Sequence, residues 1–121
     1  MLSENIEQQL LARYLDDTDL LWCHVPNGGF RHKSTAARLR HQGLKAGVPD
    51  ILIFTRFVID GCLCTGLAIE LKRESGGTVS THQKKWLDGL HRQGWKALVC
   101  HGHKAAIAAI ENHYGNRKGK K

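Results

Sequence analysis

The sequence predicts an α/β fold in which a mixed sheet is flanked by helices, built as a single domain. Short strand-like apolar runs alternate along the chain with segments of helical periodicity. An Asp-Gly dipeptide between two strand-like runs indicates a tight hairpin, so at least two strands are antiparallel. The length of 121 residues, 41% of them hydrophobic, fits one domain that buries its own core.

Four segments have the periodicity or the capping residues of helices. The first opens with Ser3, a good N-cap, and the second lies in a basic segment with Ser34 as its N-cap. The third opens with Ser80 and Gln83, whose spacing is that of a capping box. The fourth is rich in Ala and Ile. The predicted helices cover residues 3–16, 34–42, 80–93 and 104–114.

Strand-like runs lie between these helices. The run after Asp50 is apolar almost without a break, which indicates a strand buried on both faces. Asp60-Gly61 predicts a type I′ turn, after which the chain turns back. The numbers of opposed residues in that register sum to about 121, so Glu70 falls opposite about Ile51 unless a bulge shifts the pairing by one residue. The predicted strands are 20–25, 51–54, 56–59, 62–72 with a central part at 66–72, and 97–100.

The charge of the chain predicts a polyanionic partner. Eighteen Lys and Arg residues against eleven Asp and Glu give a formal net charge of +7. A basic surface concentrates nucleic acid and releases counterions from its phosphates, although solubility alone is the alternative explanation. The best candidates for contacts with a DNA backbone are Lys33, Arg38, Arg40 and Lys45, with a solvated helix face as the alternative.

Composition also narrows the class of protein. The chain has neither the charge pattern of a signal peptide nor an apolar run of the roughly 20 residues that span a bilayer. We therefore expect a soluble intracellular protein without a membrane partner. Cys62 and Cys64, with His101 or His103, are the only plausible zinc ligands, and the cysteines are better explained as small buried hydrophobes. The basic tail 116–121 is expected to be disordered, which leaves residues 1–115 as the domain.

A charged pair on the predicted central strand indicates a site. Glu70 and Lys72 are two residues apart, so both side chains point to one face of the sheet. Charges at such a place must be paired or bind a metal ion. Asp50, at the start of the neighbouring strand, is close enough for the two carboxylates to share one hard cation. The alternative is a solvent-facing pair on an edge strand, with Asp50 as a turn residue after Pro49.

The chemistry of this group is that of metal-assisted hydrolysis. Mg²⁺ takes oxygen ligands, and Asp50, Glu70, the Leu71 carbonyl, waters and a phosphate oxygen would complete its shell; Mn²⁺ is also possible. The ion would lower the pKa of a bound water. Lys72 would hold the hydroxide or stabilise the transition state. His24 is a weaker candidate for a place near the metal.

Three motifs together resemble a known family. They are Gly-Val-Pro-Asp at 47–50, Ile-Glu-Leu-Lys at 69–72, and Ser80 with Gln83. They are similar to those of the virus-type replication-repair nuclease (VRR-NUC) domain of the PD-(D/E)XK superfamily, which has the restriction-endonuclease-like fold. The resemblance runs from Glu7 to the final helix.

The resemblance implies a role for each matching residue. Asp50 and Glu70 match the metal ligands, and Lys72 matches the catalytic lysine. Gln83 matches a glutamine near the active site, and its alternative role as a helix cap is compatible with that. Glu7 matches an acidic residue that reaches the metal directly or through water, with a helix-dipole charge as the alternative.

The function predicted is therefore Mg²⁺-dependent, structure-specific cleavage of DNA. Stand-alone nucleases of this kind are similar to Holliday-junction resolvases, and a homodimer would match the two-fold symmetry of a junction. The alternatives are a flap or duplex-end nuclease, a non-catalytic basic DNA-binding module and, more weakly, a zinc-stabilised interaction domain. Four aromatic residues are candidates for an interface or the core, namely Trp22, Phe30, Phe57 and Trp86. Asn27 and Gly28 are candidate DNA contacts, with a turn as the more favoured role.

Overall fold

A computed structural model describes residues 1–26 and 32–121. In these ranges the chain forms four helices, α1 Glu4–Asp16, α2 Lys33–His41, α3 Thr81–Arg92 and α4 His103–Tyr114. It also forms six strands, β1 Trp22–His24, β2 Ile51–Ile53, β3 Phe57–Ile59, β4 Cys62–Cys64, β5 Leu67–Lys72 and β6 Lys96–His101. Asn27, Gly28 and Phe30, for which the sequence suggests a turn, DNA contacts or an interface, lie outside the described residues.

The main sheet is mixed, as predicted. Its strand order is β1-β2-β5-β6, with β2 antiparallel to both neighbours and β5 parallel to β6. The strand β5 lies between β2 and β6 and is buried at every residue, as expected of the predicted central strand. The strands β3 and β4 form a separate two-stranded sheet joined by the Asp60-Gly61 turn, where both residues have positive φ (51° and 76°). These angles are those of the type I′ turn.

The pairing register differs by one residue from the simplest prediction. Opposed residue numbers sum to 121 in β3–β4, as a two-residue turn requires, but the sum is one lower in β2–β5. Three residues, 54–56, lie between β2 and β3, whereas only two, 65–66, lie between β4 and β5. Ile69 therefore lies opposite Ile51 where the sequence predicts Glu70. This one-residue offset is the kind of shift that a bulge causes.

The core lies on one face of the main sheet. Helices α1 and α4 pack against each other and against β5, and they bury Leu11, Leu15 and Ile110 completely. Ile69 and Leu71 join this core, because alternate residues of a strand face the same side. Helix α3 packs on β5 and β6 from the opposite face. Within the described residues, no helix is long and apolar enough to cross a bilayer.

Two of the three predicted helix caps are present. Ser3 accepts a hydrogen bond from Ile6 N at 3.2 Å, and Ser80 and Gln83 form the complete capping box of α3. The predicted cap Ser34 is wrong, because α2 begins one residue earlier, at Lys33. His32 is the residue at the N-cap, and its side chain makes no capping hydrogen bond.

The C-terminal residues 116–121, for which the sequence predicts disorder, lie against the end of α1. Arg117 donates two hydrogen bonds to Asp19, at 2.9 and 2.7 Å, and Gly119 N donates to the Asp17 carbonyl at 2.7 Å. The acidic residues that follow α1 thus attract the basic tail. The boundary between domain and tail at residue 115 stays a prediction.

Three of the aromatic candidates lie within the described residues, and they differ in burial. Phe57 is buried and packs edge-on against His113 and Tyr114. Trp22 and Trp86 are half-buried. A role of any of them in an interface stays a prediction.

Candidate active site

Asp50 lies directly before β2 and is held at both its backbone and its side chain. Its Oδ2 accepts a 2.7 Å hydrogen bond from the backbone N–H of Leu71 in the central strand. Its carbonyl oxygen accepts hydrogen bonds at 2.8 Å from His24 Nδ1 and from Val25 N. The end of β1 and the central strand therefore fix the position of this carboxylate. A carbonyl can only accept, so His24 carries its proton on Nδ1.

Glu70 and Lys72 point from β5 towards α3. Glu70 is 3% exposed and Lys72 is 8% exposed, and the Lys72 ammonium lies 3.5 Å from Glu70 Oε2. The predicted pair on one face of a central strand is thus present. The other Glu70 oxygen, Oε1, is buried and has no hydrogen-bond partner among the described residues. A buried carboxylate oxygen without a partner is costly, so this atom is suited to a cation or a water.

Gln83 connects the helix cap to these two charges. Its Oε1 accepts from Ser80 N at 2.8 Å and from Lys72 Nζ at 3.3 Å. Its Nε2 donates to Glu70 Oε2 at 3.1 Å. The single amide therefore closes the capping box of α3 and orients both side chains of the charged pair. The two roles considered for Gln83 are geometrically compatible.

The electrostatics of the site favour an added cation. The pKa of Glu70 is raised to about 8, mainly by burial and also by the negative charge of the nearby Asp50, against the opposing effect of Lys72. Without a cation, Glu70 therefore holds a proton at neutral pH. A divalent ion placed between the two carboxylates would replace that proton, because it offsets the repulsion that keeps the proton bound.

The donors present fit Mg²⁺ better than zinc. Two carboxylates, one with an unpartnered oxygen, offer the oxygen ligands that Mg²⁺ prefers, and this ion usually keeps several waters. No group of three or more His, Cys, Asp or Glu side chains that could hold a metal occurs in ranges 1–26 and 32–121. Cys62 and Cys64 therefore do not belong to such a group with His101 or His103. The carbonyl of Leu71 as a further ligand stays a prediction.

The structure does not bring Glu7 into the cleft beside Asp50. Glu7 is fully buried, and its Oε1 accepts hydrogen bonds from His103 N at 3.1 Å and from His103 Nδ1 at 2.5 Å. These interactions hold the pKa of Glu7 below its usual range. Glu7 shares a helix face with Leu11 and Leu15, at spacings of four residues, and this face turns towards the core. Glu7 thus does not line the cleft that contains Asp50, and its place near the metal stays a prediction.

A different part of α1 lines the cleft that contains Asp50. The cleft has a volume of about 230 Å³ and is lined by Glu4, Asn5, Gln8, His24, Asp50 and Leu71. Sequence reasoning missed Glu4 and Gln8, although their spacing of four residues places them on one helix face, apart from the core stripe. Glu4 is thus the acidic residue of α1 that lines the cleft with Asp50.

The four basic residues predicted to contact DNA are all exposed. Lys33, Arg38 and Arg40 lie on α2, and Lys45 follows that helix. Arg40 and Lys45 line a groove along α3, whereas Lys33 and Arg38 do not. None of the four is among the residues that line the Asp50 cleft. Their contact with a DNA backbone stays a prediction.

The fold and the grouped carboxylates and lysine are those of a nuclease domain. The family model described as the VRR-NUC domain matches residues 2–104, so the chain belongs to that family. Membership implies a nuclease of the PD-(D/E)XK type. The fold is also that of a solved structure described as a VRR_NUC domain protein, with a TM-score of 0.76 and 23% sequence identity over 99% of this chain and 96% of that chain. No curated protein matches the sequence.

Proposed function

We propose that the chain is a Mg²⁺-dependent, structure-specific DNA endonuclease whose substrate is a four-way (Holliday) junction, cut by a homodimer. The observation that carries the metal-dependent part is the unpartnered buried oxygen of Glu70 beside Asp50, together with the raised pKa of Glu70. A buried carboxyl beside a half-buried one disfavours two negative charges at once, and a divalent cation would offset that repulsion. Mn²⁺ suits the same oxygen donors.

Each residue of the site has a distinct task in this proposal. Asp50 and Glu70 would hold the cation, with Leu71 as a backbone ligand, and the cation would supply a water of lowered pKa and positive charge beside the phosphate. Lys72 donates to a phosphate oxygen and stabilises the negative charge that develops there. Gln83 keeps Lys72 and Glu70 in place through its hydrogen bonds to both.

Binding of DNA is proposed from charge. The chain has a formal net charge of +7, and Lys33, Arg38, Arg40 and Lys45 are exposed on or after α2. Each cation that contacts a phosphate releases a counterion, so affinity should fall steeply as salt rises. The branched form of the substrate is proposed because stand-alone nucleases of this kind are similar to Holliday-junction resolvases.

The homodimer is proposed because a junction is two-fold symmetric and two sites would cut it in pairs. One apolar pair offers a surface that a second copy could cover. Val58 and Leu63 lie opposite each other in β3–β4 and are 64% and 66% exposed. Light scattering tests the dimer, since a monomer has a mass of 13.5 kDa, and Val58→Lys should shift a dimer towards that mass.

The test of function compares three substrates and two variants. A synthetic four-way junction, a flap and a blunt duplex are incubated with Mg²⁺ or with EDTA. We expect paired cuts in the junction with Mg²⁺ only, lost in Lys72→Ala and kept in Lys84→Ala, an exposed lysine on α3. Cuts in the flap or at duplex ends would support the nuclease activity and contradict the junction as its substrate. Tight binding without any cleavage would leave a DNA-binding module.

A further inference from the structure

A second concave surface, the α3 groove, lies between the segment after α2 and one side of α3. Its volume is about 760 Å³. Its basic lining residues are Arg40, Lys45, His82, Lys85 and Arg92. Within the described part of the chain, none of the residues that line it is acidic. Such a concentration of one sign of charge in a concave surface attracts a polyanion.

The α3 groove begins next to the candidate active site. A Cβ atom on Gly47 would lie 2.5 Å from the backbone of His82, so the segment that leads to Asp50 is packed directly on the first turn of α3. Gln83, the next residue of that turn, contacts Glu70 and Lys72. From Gln83 to Arg92 the helix advances by roughly 14 Å. The groove thus leads away from the site over the length of a few nucleotides.

The α3 groove also has a flat apolar wall with open space beside it. Trp86 is half-buried and lines the groove, and Gly89 lines it three residues further on, on the same helix face. Glycine in the middle of a helix weakens the helix. A Cβ on Gly89 would meet nothing closer than Arg92 Nη2, at 3.8 Å. The missing side chain therefore leaves room on the helix face that carries Trp86.

We propose that the α3 groove binds an unpaired DNA strand next to the cleavage site, with a base stacked on Trp86 and phosphates on Arg40, Lys45, Lys85 and Arg92. A stacking platform combined with a positive groove is how proteins bind single strands, because an unpaired base has a free face and a duplex base does not. The inference rests on the proposed nuclease function and narrows its substrate. Cleavage requires unpaired nucleotides near the scissile bond, as in a flap or at the opened centre of a junction.

The test measures binding of the single-stranded oligonucleotide dT8 in EDTA, where no metal-dependent cleavage occurs. Tryptophan fluorescence should be quenched by dT8 and not by a blunt duplex of the same length. Trp86→Phe should abolish the quenching, whereas Trp22→Phe, in β1, should keep it. Gly89→Leu fills space on the helix face that carries Trp86 and should weaken binding of dT8 by about 5- to 150-fold, the range that one base stack contributes.

Stability and charge controls exclude unfolding as the cause. Gly89→Leu should melt at the same or a higher temperature than the wild type, because leucine favours helix more than glycine does. Lys85→Ala should weaken dT8 binding several-fold, and its neighbour Lys84→Ala, which does not line the groove, should not. Wild-type binding by both Gly89→Leu and Lys85→Ala, or quenching that persists in Trp86→Phe, would overturn the proposal.

Cleavage with Mg²⁺ separates this inference from the proposed function. Faster cleavage of a duplex with an unpaired extension than of a blunt duplex, lost in Gly89→Leu, supports both. Equal cleavage of the two substrates by the wild type and by Gly89→Leu would contradict the binding of an unpaired strand in the α3 groove and would leave the nuclease function supported. Binding of dT8 that depends on Trp86, with no cleavage of any substrate, would support the binding role of the α3 groove and contradict the nuclease function.

Discussion

The backbone N–H of Leu71 donates a 2.7 Å hydrogen bond to Oδ2 of Asp50. This hydrogen bond joins the motif at 47–50 to the motif at 69–72, about twenty residues further along the chain. The central strand thereby orients the Asp50 carboxylate. The opposite oxygen, Oδ1, is left to interact with other groups. The bond also separates two properties of Asp50 that mutation can test independently, its charge and its role as an acceptor.

Asp50→Asn should keep the fold and lose the activity. An asparagine oxygen can accept the Leu71 N–H bond, so the free energy of unfolding should change little, but the loss of charge should reduce Mg²⁺-dependent cleavage by at least about 100-fold. Asp50→Ala should also lower the free energy of unfolding, by roughly 1–3 kcal/mol, because it leaves a buried N–H without a partner. Urea unfolding and cleavage rates measure the two effects. Equal loss of stability in both variants would contradict the role assigned to the bond.

Glu70 should make the metal-free protein less stable as pH rises. Its pKa is raised to about 8 in the folded state, above the usual 4.5, so between these values the folded protein holds a proton that the unfolded chain has released. The free energy of unfolding therefore falls with rising pH in this window. Glu70→Gln cannot lose a proton, and in EDTA at pH 8.5 it should be more stable than the wild type by roughly 1–3 kcal/mol.

The pH dependence has an internal control. At pH 5 the wild-type carboxyl is protonated, and the two proteins should unfold at nearly the same temperature. Addition of Mg²⁺ at pH 8.5 should stabilise the wild type and not Glu70→Gln. A stability difference that does not vary with pH would refute a raised pKa for Glu70.

The two members of the α3 capping box should have separable effects. Ser80→Ala removes the hydroxyl that accepts from Gln83 N, and should cost about 0.5–2 kcal/mol of stability without slowing cleavage at low temperature. Gln83→Ala removes the other half of the box and also the bonds to Lys72 and Glu70. It should slow cleavage by about 10- to 100-fold, as loss of a residue that orients metal ligands commonly does. Cleavage slowed equally in both variants would indicate that only the stability of the helix matters.

Glu4, rather than Glu7, should be the glutamate of α1 that affects cleavage. Glu4→Gln should slow Mg²⁺-dependent cleavage about tenfold or more, because Glu4 lines the cleft with Asp50. Glu7→Gln should leave cleavage near the wild-type rate and lower the free energy of unfolding by roughly 1–3 kcal/mol, since Glu7 is buried against His103. Thermal melting and cleavage assays distinguish them. Loss of cleavage in a stably folded Glu7→Gln would restore its predicted place at the metal.

Local signals in the sequence predicted most of the fold. The Asp60-Gly61 turn, the capping box of α3 and the apolar central strand all depend on neighbours a few residues away, and the structure contains all three. The convergence of Asp50, Glu70 and Lys72 followed from strand alternation and one hairpin. These features share a short range in the chain, which is why the sequence reveals them.

Features that depend on distant contacts were not predictable in the same way. The one-residue offset between β2–β5 and β3–β4 arises from loops of unequal length, and a turn signal carries no information on them. The position of Glu7 depends on His103, ninety-six residues away. The start of α2 at Lys33 shows that a good capping residue inside a helical segment does not by itself fix the first turn.

Because Gln83 bonds to Ser80, Lys72 and Glu70 at once, the positions of Lys72 and Glu70 depend on the first turn of α3. Terminal turns are the parts of helices that open first, on timescales that hydrogen exchange detects. Each time the first turn of α3 opens, the amide leaves Lys72 and Glu70 at the same moment as it leaves Ser80. The exchange rate of the backbone amide proton of Gln83, which is bonded to Ser80 Oγ, should therefore report how often the site loses these contacts. A solvent additive that stabilises helix ends should slow this exchange without binding to Asp50 or Glu70.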